Sequence, residues 1–245
     1  MGRLSQSTNL FVDLYDEWMD DEQAYLDWIN FYHHHVKQPV DTLLELACGT
    51  GNISKYLVDE VAHYVATDID IEMLEQAKAK LPDHVNFKVM NMQDITIDET
   101  FDCVLCAADS LNFNLTIQQL IQTANTVWDH LKPNGKFVFD VHHPNRLKQY
   151  KEAYVETGTI QGIDFEYVLS SQLQDLTHEF YWYMGSYPTT QQYVQHVFLE
   201  EEIKQAFPSF KWKLTVENDV GEPGFVLGEK WLIIAQAIKP EGEKQ

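Results

Sequence analysis

Leu43-Leu44-Glu45-Leu46-Ala47-Cys48-Gly49-Thr50-Gly51-Asn52 is an apolar run that ends in a loop with two closely spaced glycines. The apolar part, Val40 to Leu46, reads as a strand, and Gly51 to Glu60 reads as the helix that follows it. Glycine lets the backbone turn through angles that other residues resist and come close to a ligand. Asp68 follows at the end of the next strand, Tyr64 to Thr67. An acid about 20 residues beyond such a loop is placed to bind the hydroxyls of a ribose.

Outward from the loop, strands and helices alternate. Ile71 to Leu81 reads as a helix stopped by Pro82, and Val85 to Met90 and Phe101 to Cys106 read as strands. Ile117 to Leu131 has helical spacing and closes on Lys132-Pro133-Asn134-Gly135, and Lys136 to Val141 is the fifth strand. This alternation predicts an α/β fold with a doubly wound, mostly parallel sheet. Leu10 to Met19 and Glu22 to Val36 are amphipathic helices ahead of it. After Pro144 the pattern changes. Tyr154 to Tyr187 is aromatic and β-prone, with turns at Gly162 and near Gln174 and Asp175, and predicts two or three antiparallel strands. Glu200 to Phe207 then reads as a helix, and Trp212 to Glu217 and Lys230 to Ile238 as the last strands of a seven-stranded sheet. The expected organisation is N-terminal helices over the cofactor site in residues 1–38, a cofactor-binding α/β domain in residues 39–145 and 199–240, and an inserted lid or dimer surface in residues 146–198. The polar tail after Pro240 is expected to fray.

Two classes of cofactor suit the loop. A dinucleotide places its pyrophosphate there, and Glu45 at the mouth of the strand would repel it. The dinucleotide pattern also needs a third glycine, where this chain has Ser54. S-adenosyl-L-methionine has no phosphate and carries positive charge, so an acid is tolerated. The stretch Glu45-Leu46-Ala47-Cys48-Gly49-Thr50-Gly51 resembles the first motif of class I S-adenosylmethionine-dependent methyltransferases, with Ala47 in place of the first glycine. Asp68-Ile69-Asp70 resembles the second motif, and Asn91-Met92-Gln93-Asp94 the third, which leaves Asn91 and Asp94 as alternatives for the adenine amino group. Cys106-Ala107-Ala108-Asp109-Ser110-Leu111-Asn112 resembles the loop beside the methionine end, and Leu131 to Lys136 the turn before the fifth strand. The motifs run in order over Val40 to Val141. Tyr15-Asp16 and Asp109-Ser110-Leu111-Asn112 resemble a bacterial small-molecule subgroup, which implies that Tyr15 reaches the cofactor. The implied cofactor contacts are Tyr15, Glu45, Ala47, Gly49, Gly51, Asp68, Ile69, Asn91, Met92, Asp94, Cys106 and Asp109.

Ligands of open α/β sheets sit beyond the strand C-termini, which places a small-molecule acceptor near Asp109, Ser110, Asn112, His142 and His143. His142 and His143, directly after the fifth strand, are candidate general bases, and His196 is a weaker one. Trp182, in the aromatic run Phe180-Tyr181-Trp182-Tyr183, is a candidate acceptor contact for an amine, against simple packing of an apolar face or a homodimer surface. His33-His34-His35 is not expected to hold a metal, because consecutive helical residues point different ways. A module that binds the cofactor without catalysis and a nicotinamide-dependent oxidoreductase remain the other readings.

Charge and cysteines narrow the partners. With 38 acidic and 17 basic residues the net charge is −21, which repels a nucleic-acid backbone. Cys48, Cys103 and Cys106 are an odd set with no disulfide framework, and the Cys103-Val104-Leu105-Cys106 spacing falls inside a strand, where a reduced, buried pair is expected. No apolar run approaches the roughly 20 residues of a membrane helix, and Met1 to Asp13 has no signal-peptide core. A cytoplasmic protein without membrane or nucleic-acid partners is therefore expected.

Overall fold

The computed structural model describes residues 10–37 and 39–240. The rest of the N-terminal segment and the tail after residue 240 lie outside the described residues. Two helices lead, α1 (Leu10–Trp18) and α2 (Glu22–His35), the second capped by Asp21, which accepts from the Ala24 amide. Then come β1 (Thr42–Glu45), β2 (His63–Asp68), α3 (Ile71–Lys80), β3 (Asn86–Val89), β4 (Phe101–Cys106), α4 (Ile117–His130) and β5 (Leu131–His142). The chain leaves β5 through the short helix α5 (Asn145–Gln149) into four strands: β6 (Tyr154–Ile160), β7 (Ile163–Gln172), β8 (Asp175–Tyr183) and β9 (Thr189–His196). It returns through α6 (Glu200–Ala206), β10 (Trp212–Asn218) and β11 (Lys230–Ala237).

The main sheet has seven strands in the order β10-β11-β5-β4-β1-β2-β3. Strands β1 to β5 pair in parallel, and β11 lies antiparallel between β5 and β10. The strand order reverses between β1 and β4, and ligands of such sheets bind at that crevice beyond the strand C-termini. Both faces are covered. Leu120, Val127, Ile203 and Phe207 pack one face, and Trp28, Phe31, Leu74 and Ala77 the other. Strand alternation sends Cys103 to the second layer and Cys106 to the first. Both are fully buried free thiols, and burial raises the pKa of each.

Two expectations need correction. Gly51 to Glu60 does not form an α-helix; it is a set of tight turns with one 3₁₀ turn, Ser54–Tyr56. Side chains inside this segment are tied elsewhere: Asn52 to Asp16 and Tyr25, and Ser54 to Glu45. The second concerns the insertion: Tyr154 to Tyr187 holds three antiparallel strands, as expected, but a fourth, β9, lies beyond Tyr187 and pairs along its length with β8. Its inner face, read across the register, is Phe165, Tyr167, Leu169, His178, Phe180, Trp182, Gln191, Tyr193 and Gln195. One end of this face is apolar and packs on α1 through Leu10, Phe11, Leu14 and Trp18. Phe11 meets Phe180 at 4.9 Å between ring centroids, and Trp18 meets Phe180 at 4.8 Å. Each such buried side chain contributes about 1.5–3 kcal/mol. The other end is polar and faces the C-terminal ends of β4 and β5. Among the described residues no helix is long and apolar enough to cross a membrane.

Candidate cofactor and acceptor site

The glycine loop follows β1 in a left-handed conformation: φ is +53° at Ala47, +55° at Gly49 and +82° at Gly51. A Cβ on Gly49 would point into open space, whereas one on Gly51 would come within 2.9 Å of Leu81 Cδ1. Gly49 therefore leaves room for a ligand, and Gly51 is required by packing. The Gly49 amide donates to Asp68 Oδ2 at 2.8 Å, and the Asp70 amide donates to Asp68 Oδ1 at 2.9 Å. Asp70 itself caps α3 by accepting from Glu72 N. Asp68 is thus free of capping duty, and each of its oxygens keeps a lone pair for another donor. Burial raises its pKa despite those two backbone bonds.

Beside the loop a cavity of about 130 Å³ is lined by Ala47, Ile69, Met90, Asn91, Met92, Gln93 and Phe113. The structure brings Ala47, Ile69, Asn91 and Met92 together there, as the motifs imply. Asp94 is exposed and not among the lining residues, so of the two alternatives only Asn91 borders the cavity. Phe113, 44% exposed, is a wall that the sequence reading missed.

Two implied contacts turn away from this space. Glu45 is 2% exposed and accepts from the hydroxyls of Ser54 and Tyr64. Burial pushes its pKa up to about 7, against the lowering effect of those bonds. The Cys106 side chain lies in the core. Both are supports of the site and not linings of it. Helix α1 closes the loop from above. Asp16 accepts from Thr50 Oγ1 and Asn52 Nδ2 and pairs with Lys80 Nζ at 2.7 Å. Burial raises the pKa of the neighbouring Tyr15 hydroxyl.

At the far end of the crevice, Asp109 sits after β4 with φ +58°. Its Oδ2 accepts from Lys230 Nζ at 3.1 Å, and Lys230 also pairs with the fully buried Asp140 at 2.8 Å. Asp140 accepts in turn from Trp28 Nε1 of α2 and from the Asp109 amide. Burial opposes ionisation of Asp109, but His142 and Lys230 outweigh it and hold the carboxyl well below the usual range. Burial and the neighbouring Asp109 push Asp140 up. The other Asp109 oxygen, Oδ1, is buried without a hydrogen-bond partner, 3.5 Å from His142 Nδ1.

The candidate bases are engaged elsewhere. Gln195 Nε2 donates to the Asp109 carbonyl at 3.1 Å, so its Oε1 accepts from His142 Nε2 at 2.8 Å. His142 is therefore a strut between Gln195 and Asp109, 4% exposed. His143 Nδ1 accepts from the Asn145 amide and its ring packs on Trp231 at 4.8 Å, which takes it out of the site. His196 is held by Asp175 at 2.7 Å. Asn112 bridges His196 O and the His142 amide and has no free end for an acceptor. Ser110 opens the 3₁₀ turn Ser110–Phe113 and is half-buried beside Asp109. Trp182 is 1% exposed, stacked on Phe180 and bonded to Gln191, so it is a packing residue and not an acceptor contact. His33 and His35 face different carboxylates, Glu60 and Glu217. The sequence reading missed Asp140, Lys230 and Gln195. Two carried a signal: Asp140 is a lone acid in Phe137-Val138-Phe139-Asp140-Val141, and Lys230 a lone cation before the apolar run Trp231 to Ala235.

Comparison with known proteins agrees with this geometry. Residues 43–135 match the methyltransferase domain family. Over 142 residues the chain is 35% identical to YqeM of Bacillus subtilis (strain 168), whose name marks it as a candidate methyltransferase. That alignment covers 57% of each protein, so the chain spans little more than half of this relative's length. Among solved structures, an S-adenosylmethionine-dependent methyltransferase from Clostridium acetobutylicum ATCC 824 superposes with a TM-score of 0.77 at 20% identity, covering 94% of this chain and 98% of the other. The sugar N-methyltransferase KedS8 from Streptoalloteichus sp ATCC 53650 gives 0.75 at 18% identity, covering 98% of each. The room above Gly49, the free lone pairs of Asp68 and the adjoining cavity fit S-adenosyl-L-methionine. Residues 43–135 are thus similar to the methyltransferase domain family, and the chain has the Rossmann-like fold of the S-adenosylmethionine-dependent methyltransferases it superposes on.

Proposed function

We propose that this chain transfers a methyl group to an amine nitrogen of a small molecule. The observation that carries the reading is the Asp109 carboxylate, held ionised by His142 and Lys230, whose Oδ1 has no hydrogen-bond partner and only a 3.5 Å approach from His142. S-adenosyl-L-methionine supplies an electrophilic methyl on a good leaving group, so the protein's task is to bind and orient. Asp68 holds the ribose hydroxyls; Ala47, Ile69, Asn91 and Met92 surround the adenine; the Gly49 loop and Tyr15 border the methionine end. Asp109 Oδ1 accepts an N–H of the amine and aims its lone pair. Nitrogen gains positive charge as the N–C bond forms and the S–C bond breaks, and a fixed carboxylate stabilises that charge. The product ammonium then loses its proton to solvent. An acceptor that arrives as an ammonium is attracted by the net charge of −21 and must lose its proton to solvent before its lone pair can attack. The sugar N-methyltransferase similarity supports an amine, and the four-stranded sheet serves as the substrate lid.

The test is calorimetric titration of S-adenosylmethionine, S-adenosylhomocysteine and NAD, followed by turnover with a panel of small amines and alcohols. Both S-adenosyl compounds should bind, and Asp68→Ala should weaken them by about 10- to 100-fold through lost charge-assisted bonds. Binding of NAD alone would restore the oxidoreductase reading. Binding with no turnover on any amine would favour a non-catalytic module.

A further inference from the structure

The corner where β5 ends and β11 begins breaks the pattern of the sheet. On one face of these strands Val138, Leu232 and Ile234 are buried in an apolar layer with Trp28 and Phe31 of α2. Alternate residues share a face, so the same row continues through Asp140 and His142 on β5. Lys230 pairs with His142 across the antiparallel register, and Leu232 with Asp140, which puts Lys230 on that face as well. Apolar residues would fill this row at least as well, because a buried ion pair adds little stability over packed hydrophobes. A place where a strand departs from its own pattern in this way is expected to serve a site.

These side chains hold the turn after β4. Ala108 and Asp109 are both left-handed, at φ +56° and +58°, and two such residues in succession strain the backbone unless neighbours fix them. Neighbours fix each polar group of Asp109 but one. Its amide donates to Asp140 Oδ2 at 3.2 Å, its carbonyl accepts from Gln195 Nε2 at 3.1 Å, and its Oδ2 accepts from Lys230 Nζ at 3.1 Å. Only Oδ1 lacks a hydrogen-bond partner. Asp140 is locked in turn: its Oδ2 also accepts from Lys230 Nζ at 2.8 Å, and its Oδ1 accepts from Trp28 Nε1 at 3.1 Å. One ammonium thus ties two carboxylates, and one of those carboxylates ties the turn to α2. Without the ammonium the two acids would repel each other across the turn.

We propose that Lys230 and Asp140 are positioning residues, which fix the left-handed turn so that Asp109 Oδ1 keeps one direction toward the acceptor. The role of that direction in methyl transfer rests on the function proposed above. The hold on the turn rests on the hydrogen bonds of Lys230 and Asp140 alone. Neither residue is assigned a contact with the acceptor: Lys230 acts through Asp109, and Asp140 is fully buried.

Lys230→Met, Lys230→Arg and Asp140→Asn, each in the full chain, test it through steady-state kinetics and amide hydrogen exchange. Lys230→Met removes the cation, and kcat with the best amine of the panel should fall by about 10- to 100-fold while KM for S-adenosylmethionine stays within about twofold. Lys230→Arg keeps the charge and should recover most of that loss. Asp140→Asn offers one oxygen where two are used, so it should lower kcat by about tenfold; it decides the matter if Lys230→Met does not fold. The Asp109 and Ser110 amides should exchange about tenfold faster in Lys230→Met and Asp140→Asn, while the Gly49 and Asp70 amides at the cofactor end keep the wild-type rate. A pair that only stabilises the fold would lower the unfolding temperature and leave both kcat and exchange at Asp109 unchanged, which overturns the proposal. An equal loss of kcat in Lys230→Arg and Lys230→Met also overturns it. If wild type turns over no amine, the methyl-transfer reading fails, and the exchange rates at Asp109 and Ser110 decide the hold on the turn by themselves.

Discussion

The two ends of the crevice are built differently. The cofactor end is local: Ala47, Gly49, Gly51, Asp68, Ile69, Asn91 and Met92 come from three successive strand ends of one parallel half-sheet. The end proposed for the acceptor is assembled from distant parts: Asp109 after β4, Asp140 and His142 on β5, Gln195 on the inserted sheet, and Lys230 on β11. At the first end the backbone makes the site, through left-handed loops and amide donors. At the second, buried charges and side-chain hydrogen bonds make it. Backbone sites tolerate variation in side chains, whereas a buried ionic cluster fails when one partner is removed.

The largest expected effect falls on the layer that joins the inserted sheet to α1. Trp182→Ala removes a fully buried ring from the layer between the inserted sheet and α1, which should cost about 3–5 kcal/mol of stability. Thermal unfolding reads it; a rise in acceptor KM with unchanged stability would return Trp182 to the acceptor site. Asp109→Asn removes the carboxylate proposed to face the acceptor nitrogen, and kcat/KM should drop by about 10²- to 10³-fold. S-adenosylhomocysteine affinity should hold within about twofold, because Asp109 belongs to the acceptor end; a parallel loss of both would merge the two ends into one unit.

A third test concerns the buried support of the cofactor end. Burial raises the Glu45 pKa from 4.5 to about 7 in the folded protein. A raised acid favours folding while protonated, below its unfolded value, and that contribution disappears as pH climbs through the folded value. Wild-type stability relative to Glu45→Gln should therefore fall between about pH 4.5 and 7 and level off above, by about 3 kcal/mol in total. Denaturant titrations across that range check it, and a flat difference would mean that Glu45 keeps its ordinary pKa. The smallest effect is at Ala47, held at φ +53° where the motif it resembles has glycine. Ala47→Gly relieves the left-handed strain and loosens the unfolded chain, leaving a net gain of about 0.5 kcal/mol. A loss of stability would show that the methyl group packs in the cavity wall.

This contrast also explains what could be read in advance. The parallel sheet and its loops were legible because glycine spacing, strand periodicity and capping act over a few residues. Asp70 took the cap, and Asp68 was left for other donors. The helix expected over Gly51 to Glu60 failed because Asn52 and Ser54 bond to Asp16 and Glu45, far away in sequence. Strand β9, Thr-Thr-Gln-Gln-Tyr-Val-Gln-His, was too polar to read as a strand, yet Gln191 and Gln195 face inward to serve Trp182 and His142. His142 and His143 were adjacent in sequence and taken as equivalent. Strand alternation gave them opposite surroundings, Gln195 for one and Trp231 for the other.

Helix α1 is fastened on one side to the glycine loop through Asp16 and on the other to the inserted sheet through Phe11 and Trp18. If α1 must lift for a ligand to leave the loop, the Asp16 bonds break first and the packing of Phe11 and Trp18 on the inserted sheet is disturbed with them. Exchange of spent for fresh cofactor would then be timed by the helix and not by diffusion. Steady-state turnover would report the opening frequency of α1, and a pre-steady-state burst would expose the faster chemistry behind it.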